Sequence, residues 1–131
     1  MIAFLIDLEN KPGSLADVAE ALGAKGINIT AVTGATCGDS GRAAITTADD
    51  AAARTVFQAL KVPFKEYEAT EVGLSHTPGS LGKAARRLAN AGVNIEAILP
   101  TGMAGNNVSV AFVTNNAAKT KEVLATAATA R

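Results

Sequence analysis

The sequence has a single cysteine, Cys37, and no tryptophan. No disulfide can form within this sequence, and a thiol without a second cysteine or a nearby histidine gives poor support for a metal site or for nucleophilic catalysis. Aromatic residues make up only 4% of the chain, and its 12 basic side chains are balanced by 12 acidic ones. A protein with so few stacking side chains and no basic excess is not typical of nucleic-acid binding.

Long hydrophobic runs are also missing. No apolar run approaches the roughly 18 residues that a membrane span needs. The N-terminal run MIAFLIDLENK has no basic region before it and acids soon after, so it predicts a first strand and not a signal peptide. By default, we expect a cytoplasmic protein without membrane or nucleic-acid partners.

What the sequence does contain is an internal repeat. Residues 8–32 and residues 74–98 align without a gap, and 11 of the 25 positions are identical. Both copies carry Pro-Gly-Ser-Leu, and in both a Gly-x-Asn-Ile begins 14 residues after the proline. Since twice the 66-residue spacing is nearly the whole chain of 131 residues, the protein is predicted to be two copies of one unit.

Each copy shows the same order of structural signals. An alternating apolar segment predicts a strand, and the Pro-Gly-Ser turn introduces apolar residues at helical spacing. Pro78 suits the first turn of this helix, with Thr77 as its N-cap. Two further strands and a second helix follow, and copy one has a fourth strand near residues 64–68. The predicted fold class is therefore α+β, with two ferredoxin-like βαββαβ repeats whose antiparallel sheets carry helices on one face.

The predicted domains are residues 1–69 and residues 70–131. The second helix of copy two is expected near residues 117–127, which leaves no residues for a fourth strand of its own. The second domain is therefore predicted to lack its final strand.

The segments NKPGSL with GINI, and HTPGSL with GVNI, resemble the motif of the ACT domain, and the resemblance covers the whole chain as a tandem pair. ACT domains are small regulatory modules that usually bind amino acids and adjust the activity of attached or associated metabolic enzymes. The sequence shows no catalytic domain, so the resemblance implies a free-standing regulatory protein and not an enzyme. No cofactor and no metal are expected.

The motif could hold a free amino acid by two kinds of group. Backbone N–H groups at a helix N-terminus have no helical partner and can bind a carboxylate, and an asparagine amide can meet either a carboxylate or an ammonium. The resemblance implies a pocket in which the turn of one domain faces the second strand of another. The candidate ligand contacts in the two copies are Asn10, Gly13, Ser14, Leu15 and Asn28, and His76, Gly79, Ser80, Leu81 and Asn94.

Other interpretations stay open. Pro-Gly-Ser could serve only to start a helix, the asparagines only to cap a turn, and His76 only as a polar loop residue. The chain would then be a non-ligand-binding assembly or regulatory subunit of an amino-acid biosynthetic enzyme. An enzyme in its own right has little support, because the sequence shows no nucleophile–base pair, metal set or nucleotide loop.

The short connection between the copies favours a homodimer. Edge-to-edge pairing of the two sheets within one chain would separate the fourth strand of copy one from the first strand of copy two by roughly 29 Å. Two residues reach only about 7 Å. We therefore expect the second-strand edges to pair between chains. A predicted apolar patch on the helix-free sheet faces, formed by Leu5, Val32, Ile98 and Val113, supports the same expectation.

Overall fold

The structure is a computed structural model that describes the backbone of residues 1–129 and the side chains of residues 1–125. The chain divides into two compact units, one of residues 2–67 and the other beginning at Glu68 and including Met1. The elements, in chain order, are β1 (Ile2–Glu9), α1 (Ser14–Ala24), β2 (Ile29–Cys37), β3 (Ser40–Thr47), α2 (Asp50–Leu60), β4 (Phe64–Glu68), β5 (Thr70–Ser75), α3 (Ser80–Asn90), β6 (Ile95–Ala104), β7 (Asn107–Thr114) and α4 (Ala117–Thr129). The predicted domain bounds, residues 1–69 and 70–131, stay predictions.

The sheet of the first unit has the strand order β2-β3-β1-β4. β3 pairs antiparallel with both β1 and β2, and Ile45 lies opposite Phe4 on one side and Val32 on the other. Alternate residues of β1 are apolar, so Phe4 and Ile6 enter one core with Val18 and Leu22 of α1. The rings of Phe4 and Phe57 stand edge to face with their centroids 5.1 Å apart.

The sheet of the second unit has the strand order β5-β7-β6, with both pairings antiparallel. Its core joins Leu88 of α3 to Phe112 of β7 and Leu124 of α4. The structure matches the predicted α+β class with its repeated helix-and-sheet order. Among the described residues, the second sheet consists of three strands.

The first helix of each unit begins later than the sequence predicts. Gly13 and Gly79 are the N-caps of α1 and α3, and both are left-handed, with φ of 91° and 89°. The prediction that Thr77 caps α3 is therefore wrong, because a left-handed glycine carries the chain from the turn into the helix. The Thr77 hydroxyl instead bonds the Ser80 hydroxyl at 2.9 Å.

The predicted exposed apolar patch is also wrong. Leu5 and Val113 are buried, with 7% and 0% of their surface accessible. Ile98 is only partly exposed and packs against the core of the second unit. Val32 alone is well exposed, at 46%. Alternation along a strand shows which residues share a face, but it does not show whether that face is covered.

Along the described part of the chain, none of the helices is both long enough and apolar enough to cross a membrane.

Candidate functional site

A cleft of about 500 Å³ opens on the first unit, where β1 passes through the glycine turn into α1. Its floor and far wall come from β2 and β3, the two strands that the short hairpin at Gly38 connects. The lining residues are Leu8, Glu9, Asn10, Lys11, Ser14, Leu15, Val32, Thr33, Gly34, Ala35, Thr36, Gly41, Arg42 and Ala43. A volume of this size is in the range of small-molecule sites.

The α1 end of the cleft carries unsatisfied backbone donors. Gly13 provides no side-chain cap, and the first helical bond to it is the Asp17 N–H donating to the Gly13 carbonyl at 2.9 Å. The second helix of the same unit differs, because the Asp49 carboxylate accepts from the Ala52 N–H at 3.1 Å. The Ser14 N–H donates to the Lys11 carbonyl at 3.4 Å. The N–H groups of Leu15 and Ala16 are therefore the donors of the first turn that are available to an anion, and the helix dipole favours one there.

Asn10 connects the glycine turn to the β2–β3 hairpin. Its side-chain Nδ2 donates to the Gly38 carbonyl at 2.8 Å, and its backbone N–H donates to the Asp39 carbonyl at 3.0 Å. The second unit keeps the backbone bond, with the His76 N–H donating to the Asn106 carbonyl at 2.7 Å. In both units this position joins the glycine turn to the hairpin, and in the first unit an amide side chain adds to the connection.

Two ion pairs provide the charges at the cleft. Lys11 Nζ lies 3.0 Å from Glu9 Oε2, and Arg42 Nε donates to Asp7 Oδ1 at 3.0 Å. All four side chains are more than half exposed, so each pair contributes only about 0–1 kcal/mol and either partner can turn to a ligand at little cost. The other guanidinium N–H groups of Arg42 have no protein partner among the described residues.

Two apolar side chains of the cleft are exposed to solvent instead of being buried in the hydrophobic core. Leu15 is 48% exposed and Val32 is 46% exposed, and both line the cleft. The repeat keeps this feature, because Leu81 at the position equivalent to Leu15 is 49% exposed. Large apolar residues exposed in the cleft suit contact with the apolar part of a small ligand.

The structure brings together three of the five residues predicted for the first site. Asn10, Ser14 and Leu15 line the cleft, and Gly13 adjoins it as the N-cap of α1. Asn28 lies outside the cleft. Its carbonyl accepts from the Ala48 N–H at 3.0 Å, so its backbone closes the loop that follows β3.

The equivalent residues of the second unit occupy matching positions. His76 and Leu81 are exposed beside the left-handed Gly79. Ser80 bonds Thr77, as described above. The Asn94 N–H donates to Asn115 Oδ1 at 3.0 Å, and its carbonyl accepts from the Asn115 N–H at 3.2 Å, which repeats the loop closure at Asn28.

The sequence analysis missed the residues that β2 and β3 contribute to the cleft. Arg42, Thr33 and Thr36 lie far from the Pro-Gly motif in the chain, and the register of the β2–β3–β1 pairing brings them to it. One residue of this wall had a signal in the sequence, because the apolar alternation of β2 predicted Val32 on the helix-free face of the sheet. The place of Arg42 in the cleft could be seen only from the pairing of β3 with β1, in which Arg42 lies opposite Asp7.

Within the described residues, no group of three or more His, Cys, Asp and Glu side chains is placed to hold a metal ion. Cys37 is a free, exposed thiol at the end of β2. The strongest charge pairing lies away from the cleft, where Arg54 donates two hydrogen bonds of 2.6 Å to Glu66. These bonds hold the pKa of the Glu66 carboxyl below its ordinary value.

The first unit matches a known protein family. The match covers its glycine turn, its uncapped helix α1 and its first three strands. The ACT-domain family model matches residues 2–61. The first unit is therefore similar to an ACT domain. The curated proteins provide no significant match to the chain.

Solved structures share the fold over nearly the whole chain. Protein BT0572 from Bacteroides thetaiotaomicron aligns with a TM-score of 0.79 and 27% identity, covering 95% of this chain and 86% of that one. The regulatory subunit of aspartate kinase from Thermus thermophilus, in its ligand-free form, aligns with a TM-score of 0.67 and 21% identity, covering 96% and 90%. A structure of aspartokinase alpha and beta subunits aligns with a TM-score of 0.62 and 16% identity, covering 97% and 95%. The two aspartate kinase comparisons show a common fold.

Proposed function

We propose that this chain is a tandem ACT-domain regulatory protein that binds a free amino acid and transmits its occupancy to a metabolic enzyme or another partner. The second unit is then a second ACT domain without its fourth strand, and the protein acts in the cytoplasm by binding and not by catalysis. The observation that carries the proposal is the cleft of the first ACT domain. There, uncapped helix donors, two loose ion pairs and two exposed apolar side chains surround one small volume.

The cleft offers a partner to each part of an amino acid. Its carboxylate takes the N–H groups of Leu15 and Ala16 at the start of α1, where the helix dipole adds attraction, and Lys11 can add its charge. Its ammonium meets Glu9, which exchanges its exposed pairing with Lys11 for the ligand. Its side chain extends between Leu15 and Val32.

Occupancy would be transmitted through the elements that the ligand joins. The cleft is built from the end of β1, the start of α1 and both strands of the β2–β3 hairpin. A ligand that holds the glycine turn against this hairpin reduces the motion of both, and β2 is an edge strand available to a partner. Two similar folds support a regulatory role, since one belongs to a regulatory subunit of aspartate kinase and the other to aspartokinase alpha and beta subunits.

A melting experiment with each of the twenty amino acids tests ligand binding. A ligand at 100 times its Kd stabilises the state that binds it by about 2.7 kcal/mol, which is a readily measured upward shift. We expect one amino acid, or a few related ones, to raise the melting temperature. If none does so at millimolar concentration, the chain is not an amino-acid sensor.

Two variants locate the site. Glu9→Ala removes the carboxylate that meets the ligand's ammonium, so it should abolish most of the ligand-induced shift while changing the free energy of unfolding of the free protein by no more than about 1 kcal/mol. Asn28→Ala is the matched variant, because Asn28 lies outside the cleft. If Asn28→Ala abolishes the shift and Glu9→Ala does not, the ligand occupies a pocket built with the second strand of another domain instead.

The alternative function is a non-ligand-binding assembly subunit of an amino-acid biosynthetic enzyme. The observation in its favour is the structural use of the motif asparagines, since the backbones of Asn28 and Asn94 both close loops and the Asn10 amide is bound to Gly38. A chain of this kind would show no melting shift with any amino acid. It would co-purify with its enzyme at constant stoichiometry whether or not an amino acid is present.

A further inference from the structure

The outer edge of β5 is open in the second unit. The sheet order β5-β7-β6 leaves β5 with one partner among the described residues, whereas its counterpart β1 lies between β3 and β4. An open strand edge presents a row of N–H and C=O groups that can pair with another extended segment.

A groove runs beside this edge. Its volume is about 310 Å³, and it lies between one face of α4 and residues 68–73, with Met1 beside Glu68 at the start of that segment. Leu124 of α4 and Val72 of β5 contribute to its base, and both are buried, so the groove reaches the hydrophobic core. Lys121 lines its α4 side, and it has no ion-pair partner among the described residues.

The first unit shows which structure fits this place. Helices α2 and α4 align at their N-caps, because the side chains of Asp49 and Asn116 each accept from the N–H three residues later. By this alignment, Lys121 corresponds to Arg54, and Leu124 corresponds to Phe57.

In the first unit, β4 meets both of those α2 residues. The rings of Phe57 and Phe64 have their centroids 5.6 Å apart, and Glu66, two residues after Phe64, accepts both hydrogen bonds of Arg54 at 2.6 Å. The fourth strand of the first unit therefore carries an apolar side chain that packs against the helix. Two residues later it carries a carboxylate that pairs with a basic residue of the helix.

We propose that the groove between β5 and α4 binds an extended peptide segment of another polypeptide as a fourth strand. The segment carries an apolar side chain that packs toward Leu124 and, two residues later, a carboxylate that pairs with Lys121. Strand addition of this kind takes its affinity from main-chain hydrogen bonds and its specificity from alternate side chains.

A lone strand suits the groove better than the same edge of a second copy. Helix α4 packs on β5 and borders the groove. A second copy that presented its own β5 would bring its own α4 over the same space. An isolated extended segment has no such helix, and the acidic Glu71 beside the groove also accommodates a basic residue within it.

The sequence of β4 supplies the probe. A fluorescent peptide VPFKEYE, copied from residues 62–68, is titrated into the full chain, and saturable binding is expected with a Kd below about 1 mM. Lys121→Glu should weaken binding at least about tenfold. A peptide with lysine in place of its first glutamate should show the opposite preference and bind the Lys121→Glu variant more tightly than the parent chain.

Lys119→Glu is the matched control, because it makes the same charge change on α4 without lying in the groove, and it should leave binding within about twofold. Amide hydrogen exchange provides a second readout, since bound peptide should slow exchange in Thr70–Ser75.

Three results would overturn the proposal: no binding of the native peptide at millimolar concentration, equal effects of the two lysine variants, or slowed exchange elsewhere than β5. A peptide-free dimer that Lys121→Glu dissociates would assign the groove to a second copy instead.

Discussion

Gly13 and Gly79 carry the chain into the first helix of each unit through a conformation that few other residues adopt. An added Cβ at Gly13 would meet no atom within 4 Å, so the reason for glycine there is its φ of 91° and not a lack of space. A side chain in the left-handed region costs about 1–2 kcal/mol. Glycine at this position therefore has a backbone role in addition to any role in ligand binding.

We predict opposite effects for two glycine substitutions on α1. Gly13→Ala should lower the free energy of unfolding by about 1–2 kcal/mol, because alanine is strained at a positive φ. Gly23→Ala should raise it by up to about 1 kcal/mol, because Gly23 lies inside the helix with open space around it. Urea denaturation measures both, and effects of the same sign would contradict the argument.

One threonine hydroxyl has different surroundings in the two units. Thr47 and Thr114 lie opposite Ile29 and Ile95 in equivalent strand pairs. Thr114 shares a 2.7 Å hydrogen bond with the buried Thr120 hydroxyl, but the residue equivalent to Thr120 in the first unit is Ala53. The Thr47 hydroxyl is buried and has no hydrogen-bond partner among the described residues.

The isosteric change from threonine to valine should therefore have different effects in the two units. Thr120→Val removes a buried hydrogen bond and should cost about 1–3 kcal/mol. Thr47→Val removes a hydroxyl that is already unsatisfied, so it should be neutral or stabilising. Thermal melts of the two variants measure both changes in stability. An equal loss of stability would mean that Thr47 has a partner that the protein structure alone does not contain.

At the scale of elements, α2 is tied to β4 by the pair of Arg54 and Glu66. Hydrogen bonding from Arg54 lowers the pKa of Glu66 and raises that of Arg54. A carboxyl whose pKa is lower in the folded state contributes stability above its unfolded pKa, and that contribution is lost as the pH falls through the folded pKa.

Glu66→Gln should therefore be less stable than the parent chain at neutral pH. The difference in stability should shrink as the pH falls below the ordinary pKa of glutamate, because the parent carboxyl then becomes protonated and is neutral, as glutamine is. Glu20→Gln, on the exposed side of α1, is the control and should show little effect at any pH. Denaturation midpoints across pH 2–7 provide the measurement, and a difference that stays constant would rule out the pairing as its cause.

At the scale of the whole molecule, the second strands β2 and β6 are the free ends of their sheets. Free edges pair readily with other strands. Only Ala69 lies between β4 and β5, as the short predicted connection requires. We therefore predict a homodimer through these edges, although two of the four residues in the predicted apolar patch are buried.

Light scattering at low micromolar concentration tests this prediction. A dimer has twice the 13.2 kDa mass of the chain. The mass should not change in the Lys121→Glu variant, because the groove at β5 lies on another edge. A single species at the mass of one chain would show that β2 and β6 remain unpaired.

The sequence by itself determined the repeat and the order of helices and strands. These follow from local signals. Apolar periodicity identifies the elements, and the two glycine motifs mark where strands pass into helices. Three of the five predicted contacts of the first site, Asn10, Ser14 and Leu15, lie in one cleft because they are neighbours in the chain as well as in space.

Only the tertiary structure decided the rest of the cleft. Arg42 reaches it because β3 pairs with β1 in one register, and a shift by a single residue would turn that side chain to the opposite face. Asn28 stays outside it, although its Gly-x-Asn-Ile motif follows the proline of the turn at the same distance of 14 residues in both copies. The burial of Leu5 and Val113 likewise did not follow from the sequence, since alternation orders the faces of a strand but packing alone decides which face meets water.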